Sequence, residues 1–328
     1  MNLFNISRRA AVLSLAAMAA IRASAQDFHA KPIKIIVGFA AGGSGDMIAR
    51  LYAQKMSEIL NTPIIVDNKP GANQMIAIRL LLNSPPDGHT LYLASGSSLV
   101  QNPGMRRDVG YDPLKDFALI GLVDVVPNII MVRSGLAVQS VKELITYALA
   151  NPGKLNYGSS GMGTQGHLAG EVFQSATGAV ITHIPFKGDS EVTRELMAGT
   201  IDLSFNGPTN ALPAIKSGKV RALAVTGPKR LPYLPDVPST AETGLNALAV
   251  LDPGTFHAMV GPAGMPAAIV ARLNDSVNKV TALPDVANRM RNIYYAEPAT
   301  TTPASFRAFV EKELAKWTEA GKVVNLTE

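Results

Sequence analysis

The stretch KIIVGFAAGGSGD, residues 34–46, decides the fold. Lys34–Phe39 is an almost continuous apolar run, which is typical of a parallel strand buried on both faces. The glycine-rich loop Ala40–Asp46 follows, and apolar residues from Met47 to Leu60 then recur at helical spacing. A strand, a short glycine loop and a helix in this order predict the beginning of an α/β sheet.

The same alternation continues along the rest of the chain. Further strands are predicted at 63–66, 90–94, 128–132, 154–157, 182–184, 201–205, 220–225 and 247–260. Helices are predicted at 140–150, 165–176, 189–198, 210–216, from Pro266 onward, and at 303–320. Because one core stops growing at about 250–300 residues, we expect two lobes, each a mainly parallel sheet flanked by helices.

No flexible linker separates the two lobes, so the chain is expected to cross between them more than once. The crossings are predicted near 117–127 and 247–258, on hinge strands. The first lobe would then comprise residues 26–125 plus 249–328, and the second lobe residues 126–248.

The first 25 residues are predicted to be an export signal. Arg8 and Arg9 precede an apolar run that ends at Ile21, and Ala23–Ala25 is a small-x-small cleavage site. The run is too short for a bilayer span, which needs about 20 apolar residues. We therefore expect a periplasmic protein that is cleaved near Ala25.

Charge and cysteine content exclude several classes of protein. The net charge of +5 includes three arginines of the predicted signal, which leaves 27 basic against 25 acidic residues, or +2, in the remainder. A net charge this small gives little reason to expect nucleic-acid binding, which depends on an excess of basic residues. The chain has no cysteine, so neither a lipid-modified cysteine nor a disulfide framework is possible.

The first candidate binding loop is Ala40–Asp46, between the first strand and the first helix. Glycines allow a ligand to approach the backbone closely, and a helix N-terminus offers free N–H groups to an anion. In open α/β sheets, ligands bind at the carboxyl ends of the strands. A tight turn with Asp46 as the helix cap is the alternative.

The second candidate loop is Gly158–His167, again between a strand and a helix. Its G-x-G-x-x-G spacing suggests a dinucleotide site, but no acidic residue ends the next strand, where Thr182–Pro185 stands. The loop also does not match a phosphate-binding P-loop, because no Gly-Lys-Ser/Thr follows. We expect no cofactor.

An enzyme and a metal site are the chemical alternatives for this loop. A secreted α/β hydrolase would use Ser159 or Ser160 with His167, yet the sequence shows neither a nucleophile elbow nor an ordering acid. His167 and Glu171 share one helix face and could supply two metal ligands, but a third is missing. We expect neither catalysis nor a bound metal.

The expected crossing strand also carries candidate ligand contacts. Phe256 and His257 fall where the chain should cross between the lobes, so they either line the cleft or pack beneath the hinge.

Many motifs, in order along the chain, resemble those of one family. They include Gly42-Gly43 with Asp46, Asn68–Ala72, Pro86–Leu91, Tyr111–Pro113, Gly158–Gly161, Pro185–Gly188, Ser217–Val225 and Leu234–Pro238. On these residues the chain resembles the periplasmic receptors of tripartite tricarboxylate transporters, called Bug proteins.

The resemblance implies a two-lobed (type II-like, Venus flytrap) binding fold that closes on a small organic carboxylate. Ala41, Gly42 and Gly43 would hold the carboxylate from one lobe, and Ser159, Ser160, Gly161 and Thr164 from the other. Phe186 stands where the family usually has tyrosine, and Phe256 where it commonly has tryptophan. The loss of two hydrogen-bond donors favours an aromatic or short dicarboxylate ligand; di- and tricarboxylates stay open.

The residue patterns and the family resemblance together give the complete predicted site and its partners. The predicted ligand-binding residues are Ala41, Gly42, Gly43, Asp46, Ser97, Ser159, Ser160, Gly161, Thr164, Phe186, Phe256 and His257. The expected partners are the carboxylate and the membrane subunits of a transporter, or a sensor protein. The receptor is expected to be a monomer that binds no nucleic acid.

Overall fold

A computed structural model describes residues 31–106, 108–251 and 254–322. The predicted export signal lies outside these residues. No helix in the described ranges is long and apolar enough to cross a membrane.

Eleven strands and ten α-helices are described in these ranges. The strands are β1 Ile33–Val37, β2 Ile64–Asn68, β3 Thr90–Ser95, β4 Phe117–Val126, β5 Ile129–Arg133, β6 Leu155–Ser159, β7 Ile181–Pro185, β8 Leu203–Asn206, β9 Val220–Val225, β10 Thr255–Pro262 and β11 Glu297–Pro298. The helices are α1 Ser44–Leu60, α2 Met75–Leu82, α3 Asn102–Met105, α4 Val141–Ala150, α5 Gln165–Thr177, α6 Asp189–Ala198, α7 Pro208–Lys216, α8 Ala267–Ala282, α9 Pro284–Arg289 and α10 Pro303–Gly321.

The strands form two sheets, one in each lobe. The first has the order β11-β4-β10-β3-β1-β2, and the second has the order β7-β6-β8-β5-β9. The chain passes from the first sheet to the second between β4 and β5, and it returns between β9 and β10. The two-lobed α/β architecture agrees with the prediction.

The expectation of mainly parallel sheets is wrong, because both sheets are mixed. β1 pairs in parallel with β2 and β3, and β6 pairs in parallel with β7 and β8. The strands next to the crossings run the other way: β10 is antiparallel to β3 and β4, and β5 is antiparallel to β8 and β9. Neighbouring strands joined by a right-handed βαβ connection must be parallel. A strand that enters the sheet from the other lobe has no such connection, so it can pair in the antiparallel direction.

The strand predicted at 247–260 is shorter than expected. Asn246–Leu251 forms a 3₁₀ helix, and β10 begins only at Thr255. Leu248 and Leu251, three residues apart, are both fully buried, which fits a three-residue turn. Gly254 then has a φ of 98°, and a Cβ there would lie 2.5 Å from the carbonyl oxygen of Val126. The two crossing segments therefore touch at a position that only glycine fits.

Apolar side chains fill the space between each sheet and its helices. The C-terminal helix α10 buries Phe306, Val310 and Trp317 on one face. Its Trp317 packs against the segment 97–105, where a Cβ added to Gly104 would lie 2.8 Å from Trp317 Cβ. This packing fixes the segment that carries Ser97 toward the cleft.

Candidate functional site

A cavity of about 440 Å³ lies between the two sheets. Both lobes line it, mostly with loops at the carboxyl ends of strands, where α/β proteins place ligands. Its lining residues are Phe39–Gly45, Ser95, Ser97, Val126, Asn128, Ser160, Thr164–Gly166, Lys187–Glu191, Phe205–Gly207, Asn210, Thr255 and His257.

The first loop presents backbone to the cavity. Gly42 adopts a φ of 87°, and Gly43, the N-cap of helix α1, provides no side-chain cap. The N–H groups of the first helical turn have no partner within the helix, and they carry the positive end of its dipole. Ala41, Gly42 and Gly43 all line the cavity, so this loop can receive an anion.

Asp46 does not line the cavity; it shapes the loop from behind. Its buried carboxylate accepts a hydrogen bond from the Gly42 N–H at 2.9 Å and from Arg50 Nε at 3.0 Å. Burial raises the pKa of Asp46, but the hydrogen bonds from Arg50 and Gly42 outweigh burial and lower the pKa below its usual value. The prediction of a ligand contact is therefore replaced by a supporting role for an ionised Asp46.

The second loop contributes Ser160 and Thr164 to the cavity, but not Ser159 or Gly161. The Gly161 N–H donates to Ser159 Oγ at 3.2 Å, and the Gly161 carbonyl accepts from Thr164 Oγ1 at 2.7 Å. Since the polar groups of Gly161 are bonded within the loop, Gly161 fixes the loop's shape. Ser159 is fully buried and also helps to fix the shape of the loop.

The hydrolase alternative needs His167 beside Ser159 or Ser160, but among the described residues no hydrogen bond joins His167 to either serine. Ser159 Oγ lies 2.6 Å from His183 Nε2, and His167 instead accepts the Gly163 N–H on Nδ1 at 3.0 Å. Burial lowers the pKa of His183 to about 4. Burial, with the charges of His183 and Arg106, also lowers the pKa of His167 to about 4. Ser159 and the two histidines thus form a largely buried network behind the cavity, and none of the three lines it.

The predicted pair of potential metal ligands is also engaged elsewhere. His167 Nε2 lies 3.8 Å from Glu171 Oε1, and that oxygen accepts the Tyr157 hydroxyl at 2.6 Å. Within the ranges that the structure describes, no group of three or more His, Cys, Asp or Glu residues could hold a metal ion.

His257 places an imidazole, paired with a buried carboxylate, beside the first loop. Its Nδ1 lies 2.9 Å from Asp124 Oδ1, and Asp124 is fully buried. Burial lowers the pKa of His257, but the Asp124 charge and hydrogen bond outweigh burial and raise it above its usual value. A Cβ built on Gly45 would lie 3.5 Å from His257 Nε2, so this nitrogen faces the start of α1.

Phe256 and Phe186 do not line the cavity, and the prediction that they contact the ligand is corrected. Phe256 is 2% exposed and packs edge-on against Phe309, with ring centroids 5.1 Å apart. Successive strand residues point to opposite faces, so the next residue, His257, faces the cleft. Phe186 belongs to the apolar cluster that includes Val192.

Ser97 lines the cavity as part of a buried polar network. Its Oγ accepts from Gln74 Nε2 at 2.9 Å and lies 2.8 Å from Ser95 Oγ. The network holds both hydroxyls at the carboxyl end of β3.

Sequence reasoning missed the polar residues that the second lobe places in the cavity. Asn128 is 2% exposed, and its Nδ2 finds no hydrogen-bond partner among the described residues. Asp189 begins helix α6, and Asn206 ends β8. Asn128 and Asn206 stand at strand ends and Asp189 at a helix start, all at the cleft edge, and this position is the signal that would have found them.

Several contacts bridge the two lobes around the cavity. Asn102 Nδ2 donates to the carbonyl of Gly163 at 2.9 Å, and Gln101 is hydrogen-bonded to Gln165. On another side, Thr209 Oγ1 donates to the carbonyl of Tyr294 at 3.0 Å. The cleft is therefore closed by direct contacts between residues distant in sequence.

Two α/β lobes with a ligand-sized cleft between them define the class of two-lobed solute-binding proteins. The family model described as "Tripartite tricarboxylate transporter family receptor" matches residues 48–326. The chain belongs to this family.

Similar proteins agree with this assignment over nearly the whole chain. The chain is 32% identical to "Protein BugT" of Bordetella pertussis, over 95% of this chain and 96% of that one. The structure of Rpa4515 of R. palustris with adipate matches with a TM-score of 0.79 and 34% identity, over 89% of this chain and 97% of that one. MatC from Rhodopseudomonas palustris with bound malate matches with a TM-score of 0.81 and 27% identity, over 89% and 99%.

Proposed function

We propose that this protein is a periplasmic receptor that captures a small organic carboxylate between its lobes and delivers it to the membrane subunits of a tripartite tricarboxylate transporter. One observation carries the proposal: the His257 imidazole and the uncapped start of α1 face the same cavity. Two similar proteins, solved with adipate and with malate, support a carboxylate as the ligand class.

The proposed grip combines a cation with backbone and hydroxyl donors. On the first lobe, the ligand carboxylate would bind the loop Ala41–Gly43 and His257, with Ser97 nearby. On the second lobe, Ser160 and Thr164 would line the opposite wall, where the Asn128 amide would donate to the ligand. Asp46, Ser159 and Gly161 shape the two loops, and Phe186 and Phe256 pack behind them.

Closure of the lobes would report occupancy to the partner. The proposed lobes are residues 26–125 plus 249–328 and residues 126–248. A ligand shifts the equilibrium toward the closed form only if it binds that form better. The donors of the second lobe would supply this difference. We propose a monomeric receptor without catalytic activity, exported by a signal at residues 1–25, that serves a transporter or a sensor.

A thermal-shift screen tests the function directly. Mono-, di- and tricarboxylates are compared with their amides, which keep the shape and lose the charge. A ligand at 100 times its Kd stabilises the folded state by roughly 2.7 kcal/mol. We expect a carboxylate to raise the Tm and its amide not to; a shift with a sugar but with no carboxylate would overturn the proposal.

A further inference from the structure

Asp189 is a carboxylate in the cleft without a cationic partner. It is the first residue of helix α6, it is half-buried, and it lines the cavity. Both Asp189 and Ser160, one of the proposed ligand-binding residues, line the same cavity. None of the ion pairs found in the described part of the chain includes Asp189. Burial raises the pKa of Asp189, although the nearby Ser160 hydroxyl opposes the rise.

No side-chain cation at this end of the cavity neutralises Asp189, although the N-terminus of α6 stabilises its carboxylate. Glu191 is already engaged: it accepts the Lys187 N–H at 3.0 Å and pairs with Arg194 at 3.4 Å. The Lys187 side chain is exposed and lies within 4.0 Å of no described carboxylate, so it does not neutralise Asp189. The cavity is therefore polarised, with Asp189 at one wall and His257 at the other.

This polarity disfavours a ligand that carries only negative groups. A carboxylate bound at Ser160 would approach the charge of Asp189 in the same cavity. Like charges that share a small, partly desolvated site repel strongly. A protonated nitrogen on the ligand removes this conflict, because it neutralises Asp189 through a charge-assisted hydrogen bond.

We propose that the ligand is a carboxylate that also bears a cationic, hydrogen-bond-donating nitrogen, and that Asp189 binds this nitrogen. The inference rests on the proposed carboxylate-binding function and names the ligand class for the same cleft. The ligand carboxylate would lie toward His257 and the loop Ala41–Gly43, and its nitrogen would lie between Asp189 and Ser160. Asn128 would donate to a further acceptor on the ligand.

Matched ligand pairs test the inference at one fixed pH. Isothermal titration compares succinate with aspartate, glutarate with glutamate, adipate with 2-aminoadipate, and 3-phenylpropionate with phenylalanine. A charge-assisted hydrogen bond predicts that, in the pair that fits the cavity, the amine-bearing member binds roughly 10- to 100-fold more tightly. If the amine-free members bind at least as tightly as their partners, the inference is wrong while the carboxylate function stands.

Asp189→Asn is the matched variant, because asparagine keeps the size and removes the charge. The preference for the amine-bearing member should fall to about unity in Asp189→Asn, and the amine-free member should gain affinity. Glu195→Gln is the control, since Glu195 lies on the same helix, is paired with Arg194 and does not line the cavity, and it should keep the preference. The ligand-free Tm of each variant establishes that it is folded. An unchanged preference in folded Asp189→Asn contradicts the inference; if no member of any pair binds wild type, the proposed function and the inference fall together.

Discussion

His257 Nδ1 lies 2.9 Å from the carboxylate of Asp124, a residue that is fully buried on the neighbouring strand. The same carboxylate oxygen also accepts the His257 backbone N–H at 3.0 Å. These two bonds fix the imidazole so that Nε2 faces the first loop. The buried Asp124 carboxylate therefore orients the imidazole and raises its pKa, which favours the protonated form.

His257→Gln should weaken carboxylate binding. The substitution removes the cation and keeps a polar side chain, and a hydrogen bond to a charged group contributes about 1.5–3 kcal/mol, or roughly 10- to 100-fold in Kd. Because Asp124 raises the pKa of His257, affinity for a carboxylate should persist at neutral pH and fall as pH rises through that pKa. Titration calorimetry between pH 6 and pH 9 measures both effects.

Asp124→Asn separates the charge of His257 from its position. The amide keeps the shape but withdraws the charge that holds the proton on His257, so carboxylate affinity should begin to fall at a lower pH than in wild type. Identical pH profiles for the two proteins would mean that His257 does not act as the cation.

Gly163→Ala should weaken binding by preventing closure. A Cβ at Gly163 would lie 2.3 Å from Asn73 Nδ2 and 2.7 Å from Asn102 Oδ1, both of which belong to the other lobe. The clash exists only when the lobes meet, so the variant shifts the population toward the open form. We expect at least about tenfold weaker carboxylate binding. X-ray scattering with ligand present should show a larger radius of gyration than wild type.

Gly153→Ala is the control for backbone strain. Gly153 has the same φ of 71° as Gly163, but a Cβ there would meet nothing within 4 Å. Both substitutions carry the roughly 1–2 kcal/mol cost of a left-handed non-glycine residue, whereas only Gly163→Ala blocks the contact between the lobes. Equal binding by the two variants would argue against closure as the cause.

The sequence predicts the parts of the site that local pattern encodes. Glycine loops between a strand and a helix, at 40–46 and 158–167, are recognisable because a turn and a helix start leave a composition signal. The pairing of Asp124 with His257 is not recognisable, since 133 positions separate the two residues and only strand register brings them together. The antiparallel strands beside the crossings were missed for the same reason.

Side-chain direction is the other part that the sequence left open. Phe256 and His257 were both candidates for the cleft, and strand alternation admits only one of them. In the sequence, a single apolar–polar pair does not reveal which face of the strand packs on the core. The structure shows it, because helix α10 covers one face and packs Phe309 against Phe256.

Ser160→Ala and Ser159→Ala should have different effects, although the residues are adjacent. Ser160 lines the cavity, so its loss should weaken carboxylate binding by up to about tenfold and change the ligand-free Tm little. Ser159 is buried and bonded to His183, so its loss should cost about 1–3 kcal/mol of stability. Ester substrates provide a further readout: turnover by wild type that either substitution abolishes would restore the hydrolase alternative.

Stability should fall on mild acidification because of His167 and His183. Their ring centroids lie 4.3 Å apart, and both pKa values are lowered from the usual 6.5 to about 4. Between these values the unfolded chain binds protons that the folded protein does not, so the stabilisation present above pH 6.5 is lost as pH falls toward 4. Urea unfolding at pH 7 and pH 5 measures the loss.

His183→Gln isolates this contribution, because glutamine does not titrate. The variant should lose less free energy of unfolding between pH 7 and pH 5 than wild type does. His257 acts in the opposite direction, since its raised pKa adds stability at low pH that is lost as pH rises, and it is unchanged in the comparison. A pH dependence identical to that of wild type would exclude His183 as a cause.

Phe256→Ala should destabilise the protein without changing its ligand preference. Phe256 is 2% exposed and packs on Phe309, so the cavity left behind should cost about 3–5 kcal/mol. Phe256→Leu keeps most of the volume and provides a milder test should the alanine variant fold poorly. In both variants, the ranking of aliphatic and aromatic carboxylates by titration calorimetry should equal that of wild type, because His257, and not Phe256, faces the cleft. A changed ranking in a fully folded variant would mean that Phe256 contacts the ligand, because a residue buried behind the strand should not otherwise affect which carboxylate binds best.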